Sequence, residues 1–310
     1  MKLIRHNTAL PYDSLITIGN FDAIHLGHQA LIKQLTVEAK KQKLKSVLLT
    51  FSPLPAEFFS KTPPARLSSF REKWKQLSSF SLDYYACLNF NAKLASTSAE
   101  DFVKNILVTQ LRMKQLIVGL DFRFGYQRQG DVSLLKTLGH HCGFEVTPFE
   151  LITNEKIRIS STLIRNQLQS GKLDDATSLL GRRYQISGHV CYGQQRGRQL
   201  GFPTANIHLK HPPALQGVFS VIVHGITASP LPGVANIGTR PTVDGKSKPN
   251  LEVHLLNYNG SLYGRLITIE FIKKIRNEQR FDSLIQLKNQ IQNDIKVAQF
   301  DLAASGISLS

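Results

Sequence analysis

The stretch that decides the fold of the N-terminal half reads Gly19-Asn20-Phe21-Asp22-Ala23-Ile24-His25-Leu26-Gly27-His28. The apolar run Leu15–Ile18 comes directly before it, and His28–Lys43, with apolar residues at helical spacing, comes after it. The order of strand, loop and helix places the first turn of a helix beside the end of a strand. Such a turn offers free N–H groups and the positive end of the helix dipole, which favour a phosphate chain.

Strand-like and helical runs alternate through the rest of this half. Strands are predicted at 46–51, 84–88, 115–119 and 144–148, and helices at 99–110, 160–171 and 174–180. This alternation predicts an α/β domain with a doubly wound parallel sheet. Ligands of such sheets bind beyond the carboxyl ends of the strands. Because Gly19 and Gly119 each end a strand, we expect both at that edge.

The pattern changes after Leu180. Short strand-like runs at 184–190, 217–223, 251–256 and 266–271 are separated by glycine and proline, and helical spacing returns only at 281–303. These features predict a small antiparallel β-barrel followed by a C-terminal helix. We therefore expect two domains, 1–180 and 181–310.

Charge and cysteine usage limit the class of protein. The chain has 38 Lys and Arg against 22 Asp and Glu, a net charge of +16, but the basic residues are dispersed. A basic chain favours anionic partners, yet dispersed charge alone does not indicate a nucleic-acid binder. The three cysteines form no close pair, which favours a reducing compartment. Because we also find no secretory signal and no membrane-spanning run, we expect a cytoplasmic protein without a membrane partner.

Two constellations in the first half could carry chemistry. His25 and His28 can donate to phosphate oxygens and neutralise charge that develops during transfer to an α-phosphate. The alternatives are a capping or exposed pair, or a metal site, although no third ligand accompanies them. The segment Ser160-Ser161-Thr162-Leu163-Ile164-Arg165 adds hydroxyl donors, a second helix start and an arginine, with an ordinary helix cap as the alternative.

The second half contains a glycine-rich basic loop, Gly193–Leu200, followed by Gly201-Phe202-Pro203-Thr204-Ala205-Asn206. Such a loop can cover a triphosphate. Thr204 and Asn206 share one face of an extended segment and carry oxygen ligands suited to Mg²⁺, unless the segment is a simple turn. Glu252 alternates with Leu251 and Val253, so it could accept a proton from a substrate hydroxyl or merely face solvent.

Many motifs occur in one order along the chain. They are Gly19–His28, Thr50–Pro53, Gly119–Gly125, Gly130-Asp131, Ile159–Arg165, Leu180–Tyr184, Gly188–Val190, Gly197–Asn206, Gly217–Phe219, Asn236–Thr242, Leu251–Leu255, Tyr263-Gly264, Arg276 and Phe281–Leu284. In this arrangement the chain resembles, over essentially its whole length, the bacterial bifunctional riboflavin kinase/FMN adenylyltransferase family, or FAD synthetases. The N-terminal halves of that family are HxGH nucleotidyltransferases.

For the first half, the resemblance implies transfer of the adenylyl group of ATP to FMN, with release of pyrophosphate. It implies that His25, His28 and Arg165 act in catalysis. It assigns ATP or its phosphates to Gly19, Phe21, Asp22, His25, His28, Gly119, Asp121, Ser160, Ser161, Thr162 and Arg165, and the flavin to Asn20, Phe124 and Arg128.

For the second half, the resemblance implies phosphorylation of riboflavin to FMN by ATP. Glu252 would be the general base on the ribityl 5′-hydroxyl, and Thr204 and Asn206 would bind Mg²⁺ and ATP phosphate. Gly193 and Arg198 would also bind ATP phosphates, and Arg276 and Phe281 would border the flavin. The expected partners are riboflavin, FMN and ATP, with no nucleic acid.

The chain departs from the family pattern at Ala23, where glycine is usual, at Leu54, where histidine is frequent, and at Arg183, where proline is usual. Two other classes of function stay open at this point. One is a nucleotidyltransferase for another phosphate, such as a pantetheine or pyridine-nucleotide precursor. The other is a non-enzymatic RNA-binding protein, which the positive charge would suit.

Overall fold

The structure is a computed structural model of the 310-residue chain. The residues described are 1–5, 8–150, 153–154, 157–193, 197, 200–241 and 247–306. The chain divides into two compact units, Met1–Pro64 with Lys73–Ser160, and Ala65–Glu72 with Ser161–Ser310. The early segment Ala65–Glu72 thus belongs to the second unit. The domain boundary expected after Leu180 stays a prediction.

The first unit is built on a six-stranded parallel sheet with the order β1-β4-β3-β2-β5-β6. Its strands are β1 Lys2–Ile4, β2 Ser14–Ile18, β3 Lys45–Ser52, β4 Tyr84–Asn89, β5 Met113–Gly119 and β6 Glu145–Phe149. A short antiparallel pair follows, β7 Thr153–Asn154 and β8 Ile157–Arg158.

The connections of this unit are mainly helical. They are α1 Leu26–Lys41, α2 Pro55–Phe59, α3 Phe70–Leu77, α4 Ala92–Ala95, α5 Ala99–Asp101 with a π-helical continuation Phe102–Gln110, a 3₁₀ turn Tyr126–Arg128, and α6 Val132–Cys142. The helix expected at 99–110 is therefore mostly of the wider π type, and Leu111 N–H donates to Ile106 O at 2.9 Å.

Both faces of the sheet are covered, as the unbroken apolar runs predict. Leu15, Leu48 and Ile117 pack with α1 on one face, and Ile16, Val47, Leu49 and Leu116 pack with the π-helix and α6 on the other. The doubly wound parallel sheet is therefore confirmed.

The strand order reverses between β2 and β5, which lie side by side at the centre of the sheet. Gly19 directly follows the carboxyl end of β2, and Gly119 is the last residue of β5. Both glycines therefore lie at the same edge of the sheet. An edge of this kind, at a reversal of strand order, is where open α/β sheets bind ligands.

The second unit contains a closed six-stranded antiparallel barrel with the order β10-β13-β12-β11-β14-β9. Its strands are β9 Gln185–Cys191, β10 Ala205–His208, β11 Gly217–His224, β12 Leu231–Pro241, β13 Ser247–Leu255 and β14 Leu266–Arg276. The helices are α7 Ser161–Gln169, α8 Leu173–Leu180 and the C-terminal α9 Leu284–Ala304, which corresponds to the helix expected at 281–303.

Alternation along the barrel strands separates an apolar interior from an outer face. Leu251, Val253 and Leu255 are buried in the interior, whereas Glu252 and His254 on the other face are half-buried. Helix α9 packs on the outer face of β11, β12 and β14. The predicted barrel with a C-terminal helix is confirmed. In the part of the chain that the structure describes, no helix is long and apolar enough to cross a membrane.

Asp83 joins β3 to the start of β4. Its carboxylate accepts from the N–H of Ser46 at 3.0 Å, the Ser46 hydroxyl at 2.8 Å and Lys45 Nζ at 3.1 Å. Burial alone would raise the pKa of the Asp83 carboxyl, but these bonds outweigh it and hold the pKa below its ordinary value of 3.8. The ionised carboxylate thus stabilises the fold above that pH, and this contribution is lost as the pH falls through the lower folded-state pKa.

We expect Asp83→Asn to lower the melting temperature by about 3 °C at neutral pH, because charge-assisted hydrogen bonds are weakened. The difference from the unchanged protein should shrink as the pH falls below 3.8 and vanish once the pH is below the lowered folded-state pKa of Asp83. Thermal unfolding followed by circular dichroism at neutral pH and across this acidic range measures this. The control is Asp13→Asn, since the Asp13–Arg112 pair is largely exposed and should shift the melting temperature by less than about 1 °C. Equal shifts for the two variants at neutral pH would contradict the prediction.

Candidate active sites

The loop between β2 and α1 has a strained backbone. Phe21, Ala23 and Ile24 have φ angles of +46°, +80° and +46°, in the left-handed region that side-chain-bearing residues rarely adopt. All three are about 1% exposed, so packing holds the conformation. Ala23 therefore occupies a conformation that the glycine usual in the family would adopt without strain. Clustered strain of this kind is typical of ligand-binding loops.

His25 caps helix α1, which begins at Leu26, two residues before the predicted start. Its Nδ1 accepts from the N–H of His28 at 3.3 Å, so the neutral ring carries its proton on Nε2. His25 is buried at 6% exposure, and the rings of His25 and His28 stack with centroids 3.6 Å apart. The capping alternative is thus observed, and the cap leaves Nε2–H as the donor of this ring.

His28 is neutral at neutral pH. Its pKa lies well below the ordinary value of 6.5 because of burial first, and then because of the nearby His25 and the Lys73 ammonium. Nδ1 of His28 is buried and has no hydrogen-bond partner among the described residues. A buried ring nitrogen left without a partner beside a helix N-terminus is a suitable contact for a ligand oxygen.

Lys73 is a residue of this site that the sequence analysis missed. It lies on α3, is only 4% exposed, and donates from Nζ to Asn20 O at 2.8 Å. The Thr50 hydroxyl donates to the same carbonyl at 3.3 Å. These bonds fix the start of the strained loop and bring a positive charge close to His28. In the sequence only the helical spacing of Lys73 with buried Leu77 could have indicated burial.

The remaining predicted residues of the first unit lie in different surroundings. Asp22 is buried at 2% exposure, whereas Asn20 is exposed. A Cβ at Gly119 would come within 3.1 Å of Asp121 Oδ1, and the exposed Asp121 pairs with Arg158 at 2.5 Å. Phe124 is buried in the core and stacks on Phe122, and Arg128 is exposed.

An aromatic cluster, Phe51, Phe58, Phe59 and Phe90, lies where β3 and β4 end, at the same edge of the sheet as the histidine loop. Neighbouring rings meet edge to face, with centroids 5.1–5.7 Å apart. Phe58 and Phe59 are 40% and 68% exposed. Leu54, at a position where the family often has histidine, is buried just before α2. No role was predicted for these rings from the sequence, although Phe51 lies in the motif Thr50–Pro53.

The segment Ser160–Arg165 is divided between the units. Ser160 belongs to the first unit, and Ser161, Thr162 and Arg165 belong to the second. Arg165 Nε donates to Ala65 O at 2.6 Å. The part expected of these residues in a phosphate clamp stays a prediction.

The register of the barrel strands aligns one row of polar residues across the outer face. Asn206 on β10 lies opposite Glu252 on β13, and Glu252 lies opposite Asn236 on β12. Asn236 lies opposite Val218, which in turn lies opposite Arg276 on β14. Directly opposed residues of antiparallel strands project to the same face. The register therefore brings together three predicted residues, Asn206, Glu252 and Arg276, and adds Asn236.

Two cavities adjoin this row, and Thr204 lines both. One, of about 390 Å³, is lined by Gly193, Thr204, Asn206, Tyr258, Tyr263 and neighbouring residues. A Cβ at Gly193 would come within 2.4 Å of Asn206 Nδ2, so only glycine allows this approach. The other cavity, of about 280 Å³, lies between the barrel and α9. Arg198, also predicted here, lies outside the described residues.

Glu252 lines the second cavity and is held in place by neighbours. Asn250 Nδ2 donates to Oε1 at 3.1 Å, and the Thr204 hydroxyl lies 3.5 Å from Oε2. Asn250 was not identified from the sequence, although its spacing of two from Glu252 places both on one face of the strand. The carboxylate therefore has a fixed orientation at the point where the two cavities approach each other.

The lining of the second cavity comes from the barrel and from α9. The barrel contributes Thr204, Asn236, Glu252 and Arg276, and α9 contributes the apolar Leu287, Ile291 and Ile295 together with Asp294. The Arg276 guanidinium lies 5.7 Å from the centre of the Phe281 ring. Asn236 Oδ1 is buried with no hydrogen-bond partner among the described residues. The cavity thus suits a ligand with a flat apolar part and a hydroxyl-bearing part.

The donor set around Thr204 suits a hard cation. The Thr204 hydroxyl, the Asn206 amide oxygen and the Glu252 carboxylate are oxygen ligands of the kind that Mg²⁺ prefers, with waters and phosphates completing its shell. Over the described ranges, no group of three or more His, Cys, Asp or Glu side chains could hold a metal ion. The fit is therefore to a cation shared with a phosphate ligand rather than to a closed protein site.

Comparison with known proteins agrees with both halves. The family model for FAD synthetase matches residues 7–163, and the model for riboflavin kinase matches residues 180–302. The bifunctional riboflavin kinase/FMN adenylyltransferase of Escherichia coli K12 is 46% identical over 300 residues, 95% of this chain and 96% of that protein. The protein of the same name from Pseudomonas fluorescens is 44% identical over 304 residues, 96% of this chain and 97% of that protein.

A solved structure shares the fold over nearly the whole chain. It is a crystal structure described as a macrolide-efflux protein from Streptococcus pneumoniae, with a TM-score of 0.80 and 28% identity, covering 96% of this chain and 99% of that one. The two family models match both halves of the chain, and the two relatives align with nearly its whole length. The geometry of the two sites agrees with these matches. The chain belongs to the bifunctional riboflavin kinase/FMN adenylyltransferase family.

Proposed function

We propose that the chain makes flavin cofactors in two steps, phosphorylating riboflavin to FMN in the second unit and adenylylating FMN to FAD in the first. ATP is the second substrate of both steps. The observation that carries the proposal is that Thr204 lines both barrel cavities, and that Glu252, which lines one of them, lies 3.5 Å from its hydroxyl. A kinase needs this arrangement, because the acceptor hydroxyl and the γ-phosphate must meet from two separate pockets.

In the kinase step, riboflavin occupies the cavity beside α9, with its ring against the apolar residues of α9 and its ribityl chain toward Glu252. Glu252 accepts the proton of the 5′-hydroxyl as this oxygen attacks the γ-phosphate of ATP, and ADP leaves. The triphosphate lies in the larger cavity beside Gly193 and Asn206. Mg²⁺, held by Thr204 and Asn206, would neutralise phosphate charge when bound.

In the adenylyl step, the FMN phosphate attacks the α-phosphate of ATP and pyrophosphate leaves. His28 and the Nε2–H of His25 contact the phosphates at the N-terminus of α1, and Lys73 adds positive charge. Because His28 is neutral, it donates or accepts hydrogen bonds without titrating near neutral pH. The exposed rings of the aromatic cluster offer a stacking surface for the isoalloxazine ring of FMN.

Riboflavin, FMN and ATP are sufficient partners for this function, and neither nucleic acid nor a membrane has a part in it. We further propose a cytoplasmic location, which the three free cysteines, Cys87, Cys142 and Cys191, support. The direct test incubates the purified protein with riboflavin, ATP and Mg²⁺ and separates the flavins by chromatography. FMN followed by FAD is the expected outcome, and unchanged riboflavin would overturn the proposal.

Glu252→Gln should lower kcat for riboflavin phosphorylation by about 100-fold or more, because the amide cannot accept the proton. FAD formation from supplied FMN should stay within about twofold, since that reaction takes place in the other unit. The matched control is Glu270→Gln, a barrel carboxylate that pairs with Arg183 and His224. It should leave kinase kcat within about threefold. Equal losses in the two variants would argue against a general base at Glu252.

His28→Gln should lower kcat/KM for FAD formation by about 100-fold, the usual cost of one lost contact to developing charge. Riboflavin phosphorylation should be unchanged. His141→Gln, at the exposed end of α6 in the same unit, is the control and should have no effect. FAD formation is measured with supplied FMN, and a full rate in His28→Gln would remove the histidine from the mechanism.

Thr204→Val should raise the Mg²⁺ concentration needed for half-maximal kinase rate by about tenfold, because one oxygen ligand is lost. The Mg²⁺ requirement for FAD formation should stay the same. Thr227→Val, in an exposed turn of the barrel, controls for loss of a hydroxyl. Titrations of both reactions with Mg²⁺ provide the measurement, and an unchanged kinase requirement would mean that Thr204 does not hold the cation.

A further inference from the structure

A buried carboxylate lies in the wall that α9 contributes to the riboflavin cavity. Asp294 is 3% exposed and lines the cavity. It accepts from Arg276 Nε at 2.9 Å and 3.1 Å on its two oxygens, and from Arg276 Nη2 at 2.7 Å. Gln290 Nε2 donates to the same carboxylate at 2.8 Å. The carboxylate is therefore held by four hydrogen bonds, three of them from one guanidinium.

These bonds determine how Arg276 can meet a ligand. Its Nη1 donates to Asn277 O at 3.0 Å, so each of its three nitrogens has a partner within the protein. The guanidinium plane is consequently fixed, and its central carbon lies over the Phe281 ring, 5.7 Å from the ring centre. A guanidinium is planar and stacks well on a flat aromatic ring. It does so more readily when its plane is already fixed than when the side chain rotates freely.

We infer that Asp294 is a positioning residue for riboflavin, which acts through Arg276 by fixing the plane against which the isoalloxazine ring binds. This inference rests on the proposed kinase function and concerns the same cavity. Asp294 itself does not take part in phosphoryl transfer, because the reacting hydroxyl lies toward Glu252. Its loss should therefore weaken binding of the flavin and leave the chemical step largely intact.

The alternative is that Asp294 only ties α9 to the barrel. The same helix provides a comparison, since Asp301 is also buried, at 5% exposure. Asp301 accepts from the Ser220 hydroxyl at 2.8 Å and from Lys273 Nζ at 3.0 Å, and it does not line the cavity. Both aspartates link α9 to the barrel, but one of them alone borders the cavity. Buried ion pairs contribute little net stability on average. Anchoring of the helix by itself therefore does not explain why α9 carries a second buried, paired aspartate.

The experiment compares Asp294→Asn with Asp301→Asn in the full chain, using riboflavin phosphorylation and fluorescence titration of riboflavin binding. For Asp294→Asn we expect KM and Kd for riboflavin to rise about tenfold, the effect of losing a charge-assisted hydrogen bond. KM for ATP and kcat should stay within about twofold. Asp301→Asn should leave KM and Kd for riboflavin within about twofold, whatever its effect on the melting temperature.

A double-mutant cycle with Arg276→Lys tests whether Asp294 acts through Arg276. Lysine keeps the charge but cannot form the bidentate pair. If Asp294 acts through Arg276, the double variant binds riboflavin no more weakly than Arg276→Lys alone. Additive losses in the double variant, or equal increases in KM for riboflavin in Asp294→Asn and Asp301→Asn, would overturn the inference.

Two further measurements keep the test decisive. If Asp294→Asn does not fold, Gln290→Ala removes only one of the four hydrogen bonds and should raise KM for riboflavin about two- to threefold at an unchanged melting temperature. An unchanged KM in that variant would count against positioning. The unaltered protein tests the proposed function separately, since failure to phosphorylate riboflavin at all would overturn the kinase function rather than the part of Asp294 in it.

Discussion

The chemistry of the barrel depends on one geometric constraint, the register of its antiparallel strands. Asn206, Glu252, Asn236 and Arg276 come from four strands that are far apart in sequence, yet they lie in one row. Directly opposed side chains must project to the same face, so a shift of one residue in any pair would turn a member of the row into the apolar interior. The interior prevents such a shift, because Leu251 and Val253 on β13 are completely buried. Core packing and site geometry are therefore consequences of the same register.

The first unit also fixes the positions of its site residues, but it does so with a loop rather than with strand register. Its parallel strands end at one edge, and a short loop must carry the chain from β2 into α1 there. The loop does so with left-handed residues whose side chains are buried, and Lys73 and Thr50 hold its first carbonyl. The cost of the backbone conformation is offset by packing of Phe21 and Ile24 in the core. What results is a preorganised helix start with two stacked imidazoles.

Much of this could be predicted from the sequence, and the exceptions have physical reasons. Strand and helix periodicity identified both folds, and local motifs identified the histidine pair, Thr204, Asn206 and Glu252. Lys73 was missed, and Asn236 lay in a motif of the resemblance without a predicted role, because the importance of both comes from contacts across the fold that no local pattern encodes. Asp294 could have been noticed in the sequence, because it shares helical spacing with Ile291 and Ala298 and so interrupts an apolar helix face. A carboxylate at such a position must be paired when buried, but its partner Arg276 is known only once β14 and α9 are packed.

The high positive charge of the chain and the electrostatics of its sites are separate matters. Near the histidine pair, burial keeps His28 neutral, and a fixed ammonium, that of Lys73, supplies charge. In the barrel the guanidinium of Arg276, which lines the cavity, is paired with Asp294, so its charge is compensated and its flat shape remains for recognition. Oxygen and amide groups predominate around Thr204, which is what a site sharing Mg²⁺ with phosphate requires. Local preorganisation of a few groups, rather than net charge, thus determines how each site meets its anionic substrate.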